Sequence, residues 1–201
     1  MRNVREHRAM DRPLPPESIE LADAGVVLRR HRLDDVDALH AVIEESRDHV
    51  RPFMPWADQT REGTAEFVAK AVAGWDAAGE FNYLVTRPAD ERSGESEEII
   101  GGTGFGPRGG PPGVFEIGYW LRPDATGRGV MTAVAGRLAE VSMTYDEVER
   151  VEIRCDEANI RSAGVPRRLG FALDRLVDTP VTSPGELGRH MVWVRHRLAE
   201  S

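Results

Sequence analysis

Apolar and polar positions divide the chain into alternating and helically periodic stretches. Val114–Leu121 is an apolar run with β character, and it ends at Arg122-Pro123. Val130, Val134, Leu138 and Val141 then recur at helical spacing, which predicts a helix over about 129–145. Val151, Ile153 and Cys155 alternate with Arg150, Glu152 and Arg154, so about 149–155 reads as a strand with one buried face. Upstream, strands are predicted at about 26–32, 81–87 and 99–105. Between the first two lie a helix capped by Asp34 or Asp35 and running to about Glu45, and another over about 64–78. Residues 91–98 form a charged loop, and the Gly- and Pro-rich 106–113 a hairpin connection. Downstream, a short helix opens at Asn159 and stops at Gly170, followed by strands at about 171–176 and 190–197.

A long helical crossover joins the fourth strand to the fifth, which requires those two to be parallel. The expected fold is therefore α/β (α+β), a mixed and mostly antiparallel sheet of seven strands with helices on both faces. Residues 1–20 are polar and proline-bearing and read as a loose arm; 21–201 read as one domain.

Strand, glycine turn and helix follow one another at 114–142, and that order makes an anion site. The first N–H groups of a helix have no partner within it, and the helix dipole places partial positive charge there. Gly127 and Gly129 lack Cβ, so an anion can approach the backbone closely. The spacing is neither the Gly-x-Gly-x-x-Gly dinucleotide fingerprint nor a loop ending in Gly-Lys-Ser/Thr. An ordinary strand–helix connection would look the same.

Composition narrows the setting. Cys155 is the single cysteine, so an intramolecular disulfide is excluded and a reducing, cytoplasmic location is expected. No apolar run approaches the ~20 residues of a membrane span, and residues 1–20 carry no apolar signal core. A net charge of −8 argues against nucleic acid as the main partner. It suits a cationic substrate such as an amine, and it equally serves solubility alone.

Two segments carry a family resemblance. One is Gly127-x-Gly129 at a helix start; the other is Asn159-x-x-Ser162-x-x-Val165 closing on Arg168-Leu169-Gly170-Phe171. Together they resemble the acetyl-CoA-binding core of the GNAT superfamily of N-acetyltransferases. Val26-Val-Leu-Arg-Arg, Leu33-Asp-Asp-Val-Asp-Ala-Leu and Glu45-Ser-Arg-Asp-His-Val-Arg-Pro-Phe-Met-Pro-Trp56 resemble the opening of its ribosomal-protein N-terminal acetyltransferase branch, the RimJ/RimL type. The resemblance spans roughly residues 20–198.

It implies acetyl-CoA as cosubstrate, no metal, an amine-bearing peptide or small molecule as acceptor, and a monomer or homodimer. It implies a splay between the fourth and fifth strands. The pantetheine arm would lie along Trp120, Leu121 and Arg122, and the pyrophosphate on the amides of Thr126, Gly127, Arg128, Gly129, Val130, Met131 and Thr132, with Arg168 nearby. Asn159 would contact the pantetheine, and the Ser162 hydroxyl would protonate the leaving thiolate. On the residues alone, Asn159 is equally a helix cap and Ser162 a first-turn hydroxyl.

The chain departs from the family pattern twice. Asp124 stands three positions before Gly127, where Gln or Arg is common. Pro166 follows Val165, where many members carry a tyrosine that protonates the thiolate. Proline also cannot donate to the carbonyl four residues back, that of Ser162, so a kinked or short helix is expected.

Glu116, the one acid on the fourth strand, is a candidate base and acceptor contact, or a solvated outward residue. His190, His40 and His49 are further candidate bases, or else structural or exposed residues. Cys155 falls near the thioester or is a small core residue. Phe53, Trp56 and Trp75 wall an acceptor groove or fill the core. The expected reaction is direct attack of a neutral amine on the thioester, without an acyl-enzyme. A small-molecule amine or antibiotic acetyltransferase and a non-catalytic acyl-CoA-binding module are the alternatives.

Overall fold

The computed structural model describes residues 12–89, 94 and 96–198. In chain order the elements are β1 (Ser18–Leu21), β2 (Val26–Arg30), α1 (Val36–Val50), α2 (Arg61–Asp76), β3 (Phe81–Arg87), β4 (Glu98–Gly106), β5 (Val114–Leu121), α3 (Val130–Ser142), β6 (Arg150–Asp156), α4 (Ile160–Arg168), β7 (Ala172–Asp178) and β8 (Arg189–His196). They build one eight-stranded sheet ordered β1-β2-β3-β4-β5-β6-β8-β7. The β5–β6 pair is parallel, bridged by α3 as the crossover demands.

Several sequence expectations are corrected. The sheet has eight strands rather than seven, because Ser18–Leu21 pairs antiparallel with β2. The expected arm therefore does not extend to residue 20. Residues 1–11 lie outside the described residues, but Tyr83 Oη donates to Pro16 O at 2.8 Å and Arg12 Nη1 to Ala78 O at 2.7 Å. Asp35 does not cap α1 through its side chain. Its carboxylate instead receives Arg29 at 2.7 and 2.9 Å and Arg32 N at 2.6 Å, holding a 3-10 turn against β2. Thr60 caps α2, accepting from Gly63 N, so that helix starts three residues earlier than its apolar period suggests.

Alternation in β3 separates two cores. Phe81, Tyr83 and Val85 join Phe105, Phe115 and Tyr145 under the apolar faces of α3 and α4. Leu84 faces the other way, onto Leu39, Val42 and Ile43 of α1 and Val68 of α2. No described helix is long and apolar enough to cross a membrane.

One feature of the register positions the site. Pairing of β5 with β6 runs from Val114↔Arg150 to Ile117↔Ile153 and stops, although β5 continues to Leu121 and β6 to Asp156. The strands splay beyond Ile117, leaving one edge of β5 without a strand partner.

Candidate active site

β5 carries the site on two sides. At its C-terminal end the chain turns through Pro123–Ala125 and reaches Gly127 and Gly129, both left-handed, with φ of 76° and 80°. A Cβ built at either would meet nothing within 4 Å. Glycine is therefore required here by backbone conformation rather than by crowding. The first bond of α3 runs from Ala133 N to Gly129 O. The amides of Val130, Met131 and Thr132 have no acceptor in their own helix and face outward as a polar cradle. Val130 and Met131 bury their side chains, so only their backbone serves this surface. A depression of about 580 Å³ continues from Gly129 and Thr132 along α3, with Arg168 at the end of α4 and the following Leu169 opposite. Arg168 Nε donates to Thr132 Oγ1 at 3.1 Å and ties the two helix ends together.

Asp124 does not point into this cradle. It pairs with Arg122 at 3.0 Å and with Arg87 at 3.5 Å, and these guanidiniums hold its carboxyl below the usual range against the opposing effect of desolvation. Arg122 also binds Glu98 at 2.6 Å, and the Thr126 hydroxyl donates to Pro123 O at 2.7 Å. Leu121 packs into the core and Arg128 is exposed. Around the turn the cradle is made of backbone, with side chains bracing it.

The splay opens into a cavity of about 370 Å³ on the α1–α2 face. On its floor, glycines of β4 and β5 leave room that neighbouring side chains fill, Trp120 over Gly102 and Arg108 over Gly104 and Gly118. Asn82, Gly104 and Gly118 lie in register across three strands, and Leu84, Gly102 and Trp120 form the next row. A Cβ at Gly102 would lie 2.6 Å from Trp120 Nε1, so the indole rests where a side chain would be. Trp56 stacks edge-on against Trp120 at 5.3 Å, and Phe53, Met54 and Phe67 complete an apolar wall. Trp75 is elsewhere, fully buried against Phe81 and Tyr83, and does not wall a groove.

Cys155, Asn159, Ser162 and Tyr119 meet at the mouth of the splay. Asn159 Oδ1 accepts from Ser162 N at 3.1 Å, which caps the nine-residue α4. Pro166 lies inside that helix and cannot donate to the Ser162 carbonyl. Tyr119 takes the vacant acceptor: its hydroxyl donates to Ser162 O at 3.1 Å and lies 3.4 Å from Ser162 Oγ. Burial pushes the Tyr119 hydroxyl up in pKa, and the Cys155 thiol up to about 11. Cys155 is thus a neutral thiol near pH 7, unsuited to nucleophilic attack.

Glu116 lines the cavity and lies 3.4 Å from Arg154. Arg154 also holds the fully buried Glu152 at 2.7 Å, with Arg150 and Arg175 at 3.0 and 3.4 Å. Burial works to raise the pKa of Glu152, but these three guanidiniums outweigh it and keep the carboxylate charged. Asp156 accepts from the amides of Ala158, Leu187, Gly188 and Arg189, which fixes the 179–188 loop beside the cavity. His190 lines the cavity. His40 does not; its Nδ1 contacts Thr64 Oγ1 at 3.1 Å. His49 also lies outside the lining.

Sequence reasoning missed Arg108, Arg154, Tyr119, Asn82 and His31 as lining residues. The usable signal was the run of glycines inside strand patterns, which marks close approach over a backbone.

The molecule matches known proteins in sequence and in fold. A family model described as the acetyltransferase (GNAT) domain matches residues 26–172. YdaF of Bacillus subtilis (strain 168), whose name assigns it provisionally to the ribosomal N-acetyltransferases, is 38% identical over 56 residues, 28% of this chain and 31% of its own. The chain spans less than half the length of the curated relatives it matches. Among solved structures, the microcin C7 self-immunity acetyltransferase MccE, in complex with acetyl-CoA and AMP, superposes with a TM-score of 0.77 at 18% identity, covering 92% of this chain and 98% of that one. Mycobacterium smegmatis RimJ, in complex with a coenzyme A disulfide, gives 0.72 at 21% identity, covering 89% and 86%.

Proposed function

The chain belongs to the GNAT acetyltransferase family, and on that premise we propose that it transfers an acetyl group from acetyl-CoA to a primary amine, with a protein N-terminal α-amine as the favoured acceptor. One observation carries the reading. The unpaired edge of β5, the outward amides of the glycine turn and the apolar cavity are continuous along a single strand. An extended thiol ester laid on that edge would have its phosphates on the cradle and its acyl group at the cavity mouth. The residues fit coenzyme A: both glycines leave open space above the turn, and Arg128 and Arg168 flank it with positive charge.

In this reading the amine enters from the α1–α2 side, past Phe53 and Trp56. It must lose a proton before its lone pair can attack. Glu116 is the proposed acceptor of that proton, directly or through water. The amine nitrogen bonds to the carbonyl carbon and sheds its second proton to water, the C–S bond breaks, and the sulfur takes a proton from the Ser162 hydroxyl, the proposed donor, which recovers one from water. Tyr119 positions Ser162 and Asn159 fixes the start of its helix. A neutral, buried Cys155 supports direct attack without an acyl-enzyme.

The expected outcome is release of free thiol from acetyl-CoA when peptides with a free N-terminus are supplied, and none when the N-terminus is blocked. Mass spectrometry should find the added acetyl on the α-amine. Thiol release with small amines and not with peptides would replace this with a small-molecule reading. Tight coenzyme A binding without turnover on any amine would leave an acyl-CoA-binding module.

A further inference from the structure

Among the described residues, one charge around the acceptor cavity has no partner. Glu116 lies against Arg154, and Arg154 also serves Glu152. Asp156 is taken by four backbone amides. Glu186 accepts from Thr182 N at 2.6 Å and Ser183 N at 3.0 Å. Arg108 is the exception: it makes no ion pair or hydrogen bond with any described residue, although its guanidinium lies over the cavity floor.

That placement is built into the backbone. Arg108 follows β4 with a φ of 39°, a conformation arginine rarely adopts, and its side chain folds back over the sheet. A Cβ at Gly118 would meet Arg108 Cζ at 3.2 Å and Nη2 at 3.3 Å, and one at Gly104 would meet Nη2 at 3.1 Å. Two glycines opposite one another in β4 and β5 thus clear the bed in which the guanidinium rests. Asn82 Oδ1 borders the same bed at Gly104. A planar cation with five donors, which shares the cavity lining with Glu116 and has no counter-ion among the described residues, is suited to a carboxylate or phosphate.

We propose that Arg108 binds an anionic group, carboxylate or phosphate, borne by the acceptor a few atoms from the reacting amine. This rests on the acetyltransferase reading and adds a substrate class to it. The acceptor is then an amine with a nearby negative charge, as in a free amino acid, an aminoalkyl phosphate, or a peptide with an acidic residue after its N-terminus.

The test compares matched pairs by calorimetry in the presence of coenzyme A. The pairs are phenylalanine against phenylalaninamide, phosphoethanolamine against ethanolamine, and the peptide Ala-Glu-Ala-Phe against Ala-Gln-Ala-Phe. The anionic member of at least one pair should bind about tenfold tighter, the usual scale of one charge-assisted contact. The pair that discriminates identifies the source of the anion. Arg108→Gln should erase the ratio, and Arg108→Lys should keep part of it, with coenzyme A affinity unchanged in both. No difference within any pair, or a difference that survives Arg108→Gln, overturns the proposal. Weakened coenzyme A binding in Arg108→Gln overturns it too, by moving the guanidinium to the donor site. Failure of the wild type to bind coenzyme A would remove the acetyltransferase reading, and this inference with it.

Discussion

Ser162 is held from both ends of its peptide unit. Its N–H donates to Asn159 Oδ1, its carbonyl accepts from Tyr119, and its hydroxyl projects toward the splay between β5 and β6. Replacing it with alanine removes the hydroxyl and leaves both backbone contacts. Ser162→Ala should therefore lower kcat by about 10²-fold, the lower end for loss of a general acid, with coenzyme A affinity unchanged. Steady-state kinetics beside a binding titration would check this, and an unchanged kcat with chemistry rate-limiting would reduce Ser162 to a capping residue. At this scale the sequence was half legible. Asn159 and Ser162 declare themselves by a local cap pattern four residues long. Tyr119 does not, because its bond to Ser162 crosses 43 residues and exists only where Pro166 has freed a carbonyl.

The glycine turn and α3 act as one element. Gly129 is the residue before the helix, left-handed, with no heavy atom near a built Cβ. Gly129→Val would strain the backbone by about 1–2 kcal/mol and place two methyl groups over the amide cradle. Coenzyme A affinity should fall by at least about tenfold, or about 1.4 kcal/mol, while thermal unfolding stays cooperative. Calorimetry showing unchanged affinity would separate the turn from the donor site. α3 and β6 were legible because each has a regular apolar period over two or more turns or pleats. β1 was not: of its four residues only Ile19 is buried, too little for alternation to register. The start of α2 was missed for a related reason, since its first turn is polar and solvent-facing apart from the buried Thr64.

On the scale of the whole molecule, His31 couples stability to pH. It is 4% exposed, packs edge-on against Phe67 at 5.5 Å, and its Nδ1 has no partner among the described residues. Burial pulls its pKa from 6.5 down to about 4, with Asp35 opposing that shift and Arg29 adding to it. Below pH 6.5 the unfolded chain protonates this imidazole and the folded one does not, so the unfolded state binds more protons. Stability is then full above pH 6.5 and falls as pH drops toward 4, by up to about 3 kcal/mol. The paired carboxylates Asp35 and Glu152, both held below their ordinary values, add their own loss only as pH falls through those values, 3.8 and 4.5. Urea unfolding at pH 7 and pH 5 should show the loss in wild type and a much smaller one in His31→Gln. An equal loss in both would place the sensitivity elsewhere.

By itself the sequence determined most of the segments that become strands and helices, that one pair of strands is parallel, and where a glycine turn leads into the start of a helix. Those follow from apolar period, glycine position and crossover length, all local properties of the chain. Only the tertiary structure decided the cavity. Its floor needs Gly104 and Gly118 to fall opposite one another on neighbouring strands with Arg108 folded back over them, and Trp120 to lie over Gly102 in the next row. The neutrality of Cys155 and His31 and the charge of Glu152 likewise depend on what surrounds them once folded. Sequence spacing specifies hydrogen-bonding and burial patterns along the chain; which side chains meet across the sheet is set by register and packing, which no single segment encodes.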